Sequence, residues 1–506
     1  MRTKEKTIRS IPWAFTGKTL KYLVYVLLPI TIVHFLGKNA FNEYAVVKNF
    51  IKLLLMFGGF GVTQAVLKYI PNCVALKQRS KIKDVIIKGM NIQIIVWFAI
   101  LFFTFIFRSI LSEKYNMPQS YMIAASIIVL FNIIYTYFAS VLTAFFDNKY
   151  LAIVDFFEGV VKIIIVVILV LLNFKILGVI VGTQVSFLIL SVLLLLRIKN
   201  NVINIKEEPN NIASEEDFSY WRLLKFSTPF MLINVLTLIT WKQSGVLFLG
   251  VFDKENVGMF DIAFTYSDMI INFIPLTLMP IWMAASSEKY SVDKANLKKT
   301  IKWHYNLLFL VSAPITVGGI MVMDKFIVLA FGQEYAPAGI VCQLLFFVFF
   351  ISFFGAPLSL AIYVAEKSWL NLIIYIFYAA IKVILDYFCI KKWGFRGAII
   401  PTAVVIAISP IVRYITAKIV IGEIEIPWKF IWKTCLCALP IALIFPLRYI
   451  HFFAETIPGI FVMVIIGIVF YGISARHFGL ISGEIKEFIM ISKLPFKEKI
   501  ISVLSR

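Results

Sequence analysis

Charge and acid–base chemistry are scarce in this chain: only 15% of its 506 residues are charged, and only four are histidine (His34, His304, His451, His477), scattered among different loops and helix ends. Enzymes group acid, base or nucleophile side chains at a water-facing site, so the scatter argues against catalysis. No G-x-x-x-x-G-K-[ST] stretch occurs, which argues against direct ATP hydrolysis. The five cysteines (Cys73, Cys342, Cys389, Cys435, Cys437) have no metal-ligand spacing, the Cys-x-Cys at Cys435 and Cys437 being too weak a signal; they read as packing residues, and no metal site is expected. Acids are few as well, 28 against 49 Lys and Arg, for a net charge of +21.

Apolar residues are what the chain has in excess. Hydrophobic residues make up 60% of it, and the mean hydropathy is +0.89, far from the balance of a soluble domain. Runs such as "YLVYVLLPITIVHFL", "IQIIVWFAILFFTFIF" and "FVMVIIGIVFYGIS" recur about fourteen times, each suited to a helix of about 20 residues across a hydrocarbon core of about 30 Å. Outer-membrane barrels show short alternating segments instead. The expected fold is therefore an all-α polytopic membrane protein with about fourteen transmembrane helices. No small-residue cleavage site follows the first run, so it is expected to stay as helix one.

The excess of positive charge alternates loop by loop. Basic clusters occupy the N-terminal tail, "LKQRSKIKDVIIK", "RIKNNVINIK", "EKYSVDKANLKKTIK" and the tail after Arg476, whereas "LGKNAFNEY", "SEKYNMPQ", "NFKILG", "FDKENVG" and "GQEYAPAG" are short and nearly neutral. Roughly thirty basic residues fall on one side against roughly ten on the other, which predicts both termini in the cytoplasm. The positive charge thus reads as topology and lipid attraction, not as nucleic-acid binding.

A polar linker, "KNNVINIKEEPNNIASEEDFSYWR", divides two similar halves. "FLGKNAFNEYAVV" opens helix two and "FLGVFDKENVGMFDIAF" opens helix eight; "LSEKYNMP" has a counterpart in "FGQEYAPA"; and a polar turn, a helix bearing Lys162 or Lys382, and a basic-Gly turn follow in the same order in both halves. Two pseudo-symmetric six-helix bundles around a central cleft are expected, the geometry of alternating access. The expected divisions are an N-terminal bundle at 1–200, a linker at 201–221, a C-terminal bundle at 222–422, two appended helices at 423–480 and an amphipathic cytoplasmic tail at 481–506.

The repeated "LG-x(n)-Y/F-x-x-A" turn, "FGQEYAPAG" and "KKWGFRGAII", in that order over most of residues 10–420, resemble the polysaccharide-transporter branch of the multidrug/oligosaccharidyl-lipid/polysaccharide flippase superfamily. The resemblance implies a flippase of the inner (cytoplasmic) membrane that moves an undecaprenyl-diphosphate-linked oligosaccharide, such as an O-antigen or capsule repeat unit, from the inner to the outer leaflet. Membrane lipids are partners, with a polysaccharide polymerase and export proteins as further ones. An ion-coupled multidrug exporter of the same fold is the alternative. A membrane-embedded glycan polymerase or ligase is the alternative of another class.

A charge at the bilayer centre costs about 2.5–3.5 kcal/mol on insertion scales, so each intramembrane lysine needs a reason. Lys162 follows Glu158 by four residues and Lys382 precedes Asp386 by four, so each can pair along its own helix. Lys21, Lys48, Lys52 and Lys242 lack an acid at such spacing and are the candidates for binding a diphosphate, with snorkelling to headgroups as the bland reading. Lys18, Arg222 and Lys225 are further charges at the cytoplasmic mouth. Asp261 and Asp268, seven residues apart on one face of helix eight, together with Asp155 and Glu158, are candidates for balancing charge or exchanging H⁺ or Na⁺; no other cofactor is expected. Pro275 and Pro280 are expected to bend helix eight.

Overall fold

A computed structural model describes residues 2–75, 78–115, 117–145, 147–204, 219–273, 294–364 and 368–480. Among the described residues every regular element is a helix. The chain divides into two compact units, Met1–Gly258 and Met259–Arg506.

The first unit is built from seven elements. Helix α1 (Arg2–Gly58) breaks at Gly37 (φ 78°, ψ 176°) into two limbs, which are helix one and the upper part of helix two of the sequence reading. After a turn at Phe60 and Gly61 (φ 41° and 65°), α2 (Val62–Ala75) continues at a bend of 51°. Helices α3 (Arg79–Tyr115), α4 (Gln119–Ala144), α5 (Asn148–Leu171) and α6 (Lys175–Ile203) follow. The last is α7 (Tyr220–Phe252).

Gly61 is fixed by two demands. Its φ is positive, and a Cβ there would lie 2.2 Å from the Ser227 carbonyl oxygen; only glycine lets α2 start this close to α7. The core among α2, α3, α4 and α6 combines aliphatic residues, with Val66, Ile82, Val141 and Leu194 fully buried, and the rings of Tyr137 and Phe187. In lipid the hydrophobic effect no longer drives helices together, so polar tethers and close packing hold them. The Tyr137 hydroxyl donates to the Ile86 carbonyl at 2.7 Å, and the Trp97 indole donates to the Ser126 carbonyl at 2.9 Å. The outward face of α3 carries Phe98, Phe102, Phe105 and Ile110, each more than half exposed, as a lipid-facing helix should.

The second unit holds most of α8 (residues 257–273), then α9 (Lys294–Phe331), α10 (Ala336–Ser352), α11 (Ala356–Val364), α12 (Ser368–Gly397) and α13 (Ile399–Ile421). Its last part is α14 (Trp428–Ala438), a 3₁₀ stretch (Leu439–Tyr449), α15 (His451–Glu455) and α16 (Ile457–His477). Pro440 and Pro446 remove donors that an α-helical ladder needs, in keeping with the tighter winding of "LPIALIFPLRY". These last helices dock on α9. The Tyr471 hydroxyl donates to the Leu310 carbonyl at 2.7 Å, and Arg448 is bonded to Asp324.

Among the described residues, ten helices are long and apolar enough to cross a membrane, or eleven if the bent pair Tyr25–Gly58 and Val62–Pro71 is one span. The chain is a multi-pass α-helical membrane protein. Three features separate that count from the fourteen runs of the sequence. Helix α1 fuses two runs through Gly37; α5 is apolar but carries three charged residues, Asp155, Glu158 and Lys162, more than an ordinary apolar span; and α8 runs into residues that are not described. The linker core 205–218, Pro275, Pro280 and the tail 481–506 lie outside the described residues. The compact-unit boundary falls after α7, one helix later than the repeat boundary.

Candidate functional site

The second limb of α1 and helix α7 run along each other within the first unit, joined at three heights. At one end Asn42 grips the turn after α7: its amide nitrogen donates to the Glu255 carbonyl at 2.5 Å, and its oxygen accepts from the Gly258 main-chain amide at 3.0 Å. A Cβ on Gly258 would come within 2.3 Å of the Asn42 side-chain oxygen, so the grip needs glycine there. The two partners belong to the paired motifs "FLGKNAFNEYAVV" and "FLGVFDKENVGMFDIAF". Segments that the sequence shows as repeats of each other are thus bonded to each other. At the other end Gly61 touches Ser227.

The middle joint is the most informative one. Residues Ile239–Gln243 of α7 wind as a π-helical turn, a feature frequent at functional sites that inserts an extra residue and redirects side chains. The Ser244 hydroxyl donates back to the Ile239 carbonyl at 3.0 Å, and the Gln243 amide donates to the main-chain carbonyl of Asn49 at 2.6 Å. Thr240, Lys242 and Gln243 are all buried here, Lys242 at 8% exposure. Asn49 lies between Lys48 and Lys52 in the sequence, so Gln243 seats the Lys242 turn on the stretch that carries the other two lysines. Lys48 and Lys52 are half-buried, and the Lys48 ammonium lies 5.9 Å from the Tyr44 ring centroid. Lys18 and Lys21 lie in the first limb of α1, with side chains outside the described set.

A second polar group lies among α1, α4, α5 and α6. The Tyr135 hydroxyl donates to Asp155 at 2.7 Å, and Lys162 is paired with Glu158, both buried. The Lys162 ammonium also sits 4.5 Å from the Phe187 ring and 4.8 Å from that of Tyr25. Asp155 and Glu158 thus share one neighbourhood, where Glu158 is taken up by a cation on its own helix.

In the second unit Asp261 is buried at 1% exposure, while Asp268 is half-buried and accepts from the Asn272 amide at 2.8 Å. Lys382 and Asp386 form a fully enclosed pair, with the ammonium 2.7 Å from both carboxylate oxygens. Among the described residues no group of three or more His, Cys, Asp and Glu side chains could hold a metal ion. Arg222 and Lys225 open α7: Lys225 is exposed, and Arg222 lies 5.7 Å over the Tyr69 ring.

Sequence reasoning singled out the charged residues but not the neutral ones that lie beside them. Asn42, Asn49 and Tyr69 carry no charge anomaly in an apolar run. Asn42 was findable from its position inside a repeated motif, and Gln243 from its adjacency to Lys242.

The description "Polysaccharide biosynthesis protein" names the family that matches residues 7–286, more than half of the chain. A membrane protein of Methanocaldococcus jannaschii, itself uncharacterized, is 24% identical over 431 residues, 79% of this chain and 82% of that one. Among solved structures, the lipid II flippase MurJ in an inward closed conformation is similar with a TM-score of 0.66 at 16% identity, over 93% of this chain and 98% of that one. An inward-facing multidrug resistance MATE family transporter of the MOP superfamily is similar with a TM-score of 0.62 at 16% identity, over 81% and 98%. The chain belongs to the polysaccharide biosynthesis protein family and has the membrane-transporter fold of the multidrug/oligosaccharidyl-lipid/polysaccharide flippase superfamily.

Proposed function

We propose that this transporter flips an undecaprenyl-diphosphate-linked oligosaccharide from the inner to the outer leaflet of the cytoplasmic membrane by alternating access. Both termini and the basic loops face the cytoplasm, following the asymmetry of Lys and Arg. Lys21, Lys48, Lys52 and Lys242 neutralise the diphosphate in transit, Lys binding it as a point charge. The observation that carries this reading is the π-turn of α7, which buries Lys242 and anchors its neighbour Gln243 between Lys48 and Lys52. A membrane potential that is negative inside helps such cargo outward by about 2.3 kcal/mol per charge per 100 mV. Asp155, Glu158, Asp261 and Asp268 are the candidates for a coupling H⁺ or Na⁺. A polymerase and export proteins would take the flipped unit onward.

The fold is shared with drug exporters, so the cargo must be decided by charge. The test is flipping of an undecaprenyl-diphosphate-linked sugar by the purified chain in proteoliposomes, beside export of a fluorescent cation. Activity on the lipid that is lost in Lys242→Leu supports the reading. Cation export without lipid flipping overturns it in favour of a multidrug exporter.

A further inference from the structure

In the second unit, helix α13 carries an arginine in its interior: Arg413 lies about two turns before the last residue, Ile421. The outward side of α13 is marked by Ile411, Ile415 and Ile419, each more than half exposed. At about 100° per residue, Arg413 lies about 200° around the helix from Ile411. It falls on the face of Thr402, Ile406 and Ser409, all buried, and is itself half-buried. A guanidinium on that face is turned away from lipid, so snorkelling to the headgroups does not account for it, and an ionisable residue turned inward from the bilayer marks a functional site by default.

The guanidinium is seated by three elements. It donates to the Tyr375 hydroxyl of α12 at 3.4 Å and lies 6.0 Å from the centre of that ring. One turn before Arg413, the Ser409 carbonyl accepts from the Tyr378 hydroxyl at 3.2 Å, which ties the same two faces together. Gly355, between α10 and α11, makes room for the stem: a Cβ there would come within 3.1 Å of Arg413 Cδ. One turn before Tyr375, Asn371 is 1% exposed, and its side-chain nitrogen donates to no acceptor. Asn371 and Tyr375 share the face of α12 opposite Ile373, Ile376 and Ile384, each more than half exposed. Among the described residues, the Tyr375 hydroxyl is the one side chain bonded to Arg413.

We infer that Arg413, Tyr375 and Asn371 form an oxyanion-binding site within the second unit, which takes a sugar carboxylate or a phosphate on the planar fork of Arg413. A guanidinium has five N–H donors and no acceptor, a phenol that accepts from it still has its own proton to give, and the Asn371 amide adds two more donors. Donors on adjoining turns of two helices suit a group that only accepts, which an ionised carboxylate or phosphate does. The lysines proposed for the diphosphate belong to the first unit, so this site is a separate one. On the flippase reading the oxyanion is an acidic group of the same cargo, and that clause rests on that reading.

Titration calorimetry of the detergent-solubilised full chain tests this, with glucuronate, inorganic phosphate and glucose as probes. The wild type should bind one or both anions and not glucose. Arg413→Gln should bind them about tenfold more weakly, the worth of one charge-assisted hydrogen bond, and Arg413→Lys, which keeps the charge but not the fork, should fall in between. A loss confined to glucuronate identifies a carboxylate site, and a loss confined to phosphate identifies a phosphate site. Asn371→Leu separates a ligand group from a scaffold: removing a buried amide that has no partner should raise the thermal midpoint while binding weakens severalfold. Undiminished anion binding in both Arg413→Gln and Asn371→Leu, or no anion bound by the wild type, overturns the site. Binding that depends on Arg413 in a chain that flips nothing leaves the site standing and overturns the proposed function alone.

Discussion

Lys382 on α12 and Lys242 on α7 are both buried lysines within apolar helices, yet only Lys382 has an acid on its own helix. Lys382 has its acid four residues along the same helix, bonded through both carboxylate oxygens at 2.7 Å, and the pair is sealed from solvent. Lys242 has no acid anywhere on α7. Its turn is held by amides and hydroxyls, and the helix departs from α geometry to put it there. A lysine completed by its own helix can be carried through the membrane at low cost and offers a ligand little. A lysine set by an irregular turn, beside a segment with two more lysines, depends for its placement on contacts made between helices.

Removing Lys242 and Lys52 together should give the largest effect on transport. Each charge-assisted contact is worth about 1.5–3 kcal/mol, so the Lys52→Leu and Lys242→Leu double variant should flip the diphosphate lipid at least about a hundredfold more slowly. Proteoliposome flipping and surface glycan both report it. Full activity in that variant would erase the distinction between the two lysines.

For Lys382 the largest effect should be on stability. Asp386→Ala leaves an ammonium sealed in an apolar environment and should cost about 3–5 kcal/mol, seen as a lower thermal midpoint in detergent. Replacing both partners, Lys382→Met with Asp386→Leu, should recover most of it, because both buried charges are removed together. A double replacement as damaging as Asp386→Ala would show that the pair serves something other than its own neutrality.

The sequence made one side of this comparison plain and the other only partly so. Four-residue spacing on a helix places Lys382 beside Asp386, and Lys162 beside Glu158, with no tertiary knowledge. The helical, membrane-spanning character was equally legible, because apolar runs of sufficient length have one ordinary solution in lipid. The π-turn was not legible. It follows from how "LITWKQSGV" must fit against α1, and nothing in those residues alone selects an extra residue per turn. The seat of α7 was hidden for a related reason: Asn42, Asn49, Gly61 and Ser227 are ordinary residues until two helices meet. The described residues give ten or eleven apolar spans against about fourteen runs because a single glycine joins two runs in α1, three charges sit in α5, and α8 runs into residues that are not described.

The seat of α7 yields smaller effects. Gly61→Ala meets both a positive φ and the Ser227 carbonyl at 2.2 Å, and should cost about 2–3 kcal/mol. Gly37→Ala shares the positive φ but has nothing within 4 Å of its Cβ, and should cost only about 1 kcal/mol. If the two thermal midpoints fall alike, the close approach of α2 to α7 is not what fixes Lys242.

Asn42→Ala should be mild as well. It removes one bond to the Glu255 carbonyl and one from the Gly258 amide, worth about 1–2 kcal/mol together at a part-buried site. The Gln243 anchor on Asn49 and the Gly61 contact remain, so Lys242 should stay placed and flipping should persist. What should change is the turn itself. A cysteine introduced at Asn256, half-exposed on that turn, should react faster with a membrane-impermeant maleimide when Asn42 is alanine. Faster labelling with flipping retained makes the clasp a local latch. Unchanged labelling, or flipping lost as completely as in the Lys242→Leu variant, would mean that the three joints along α7 act as one unit and that Lys242 is placed by the whole seam rather than by its own turn.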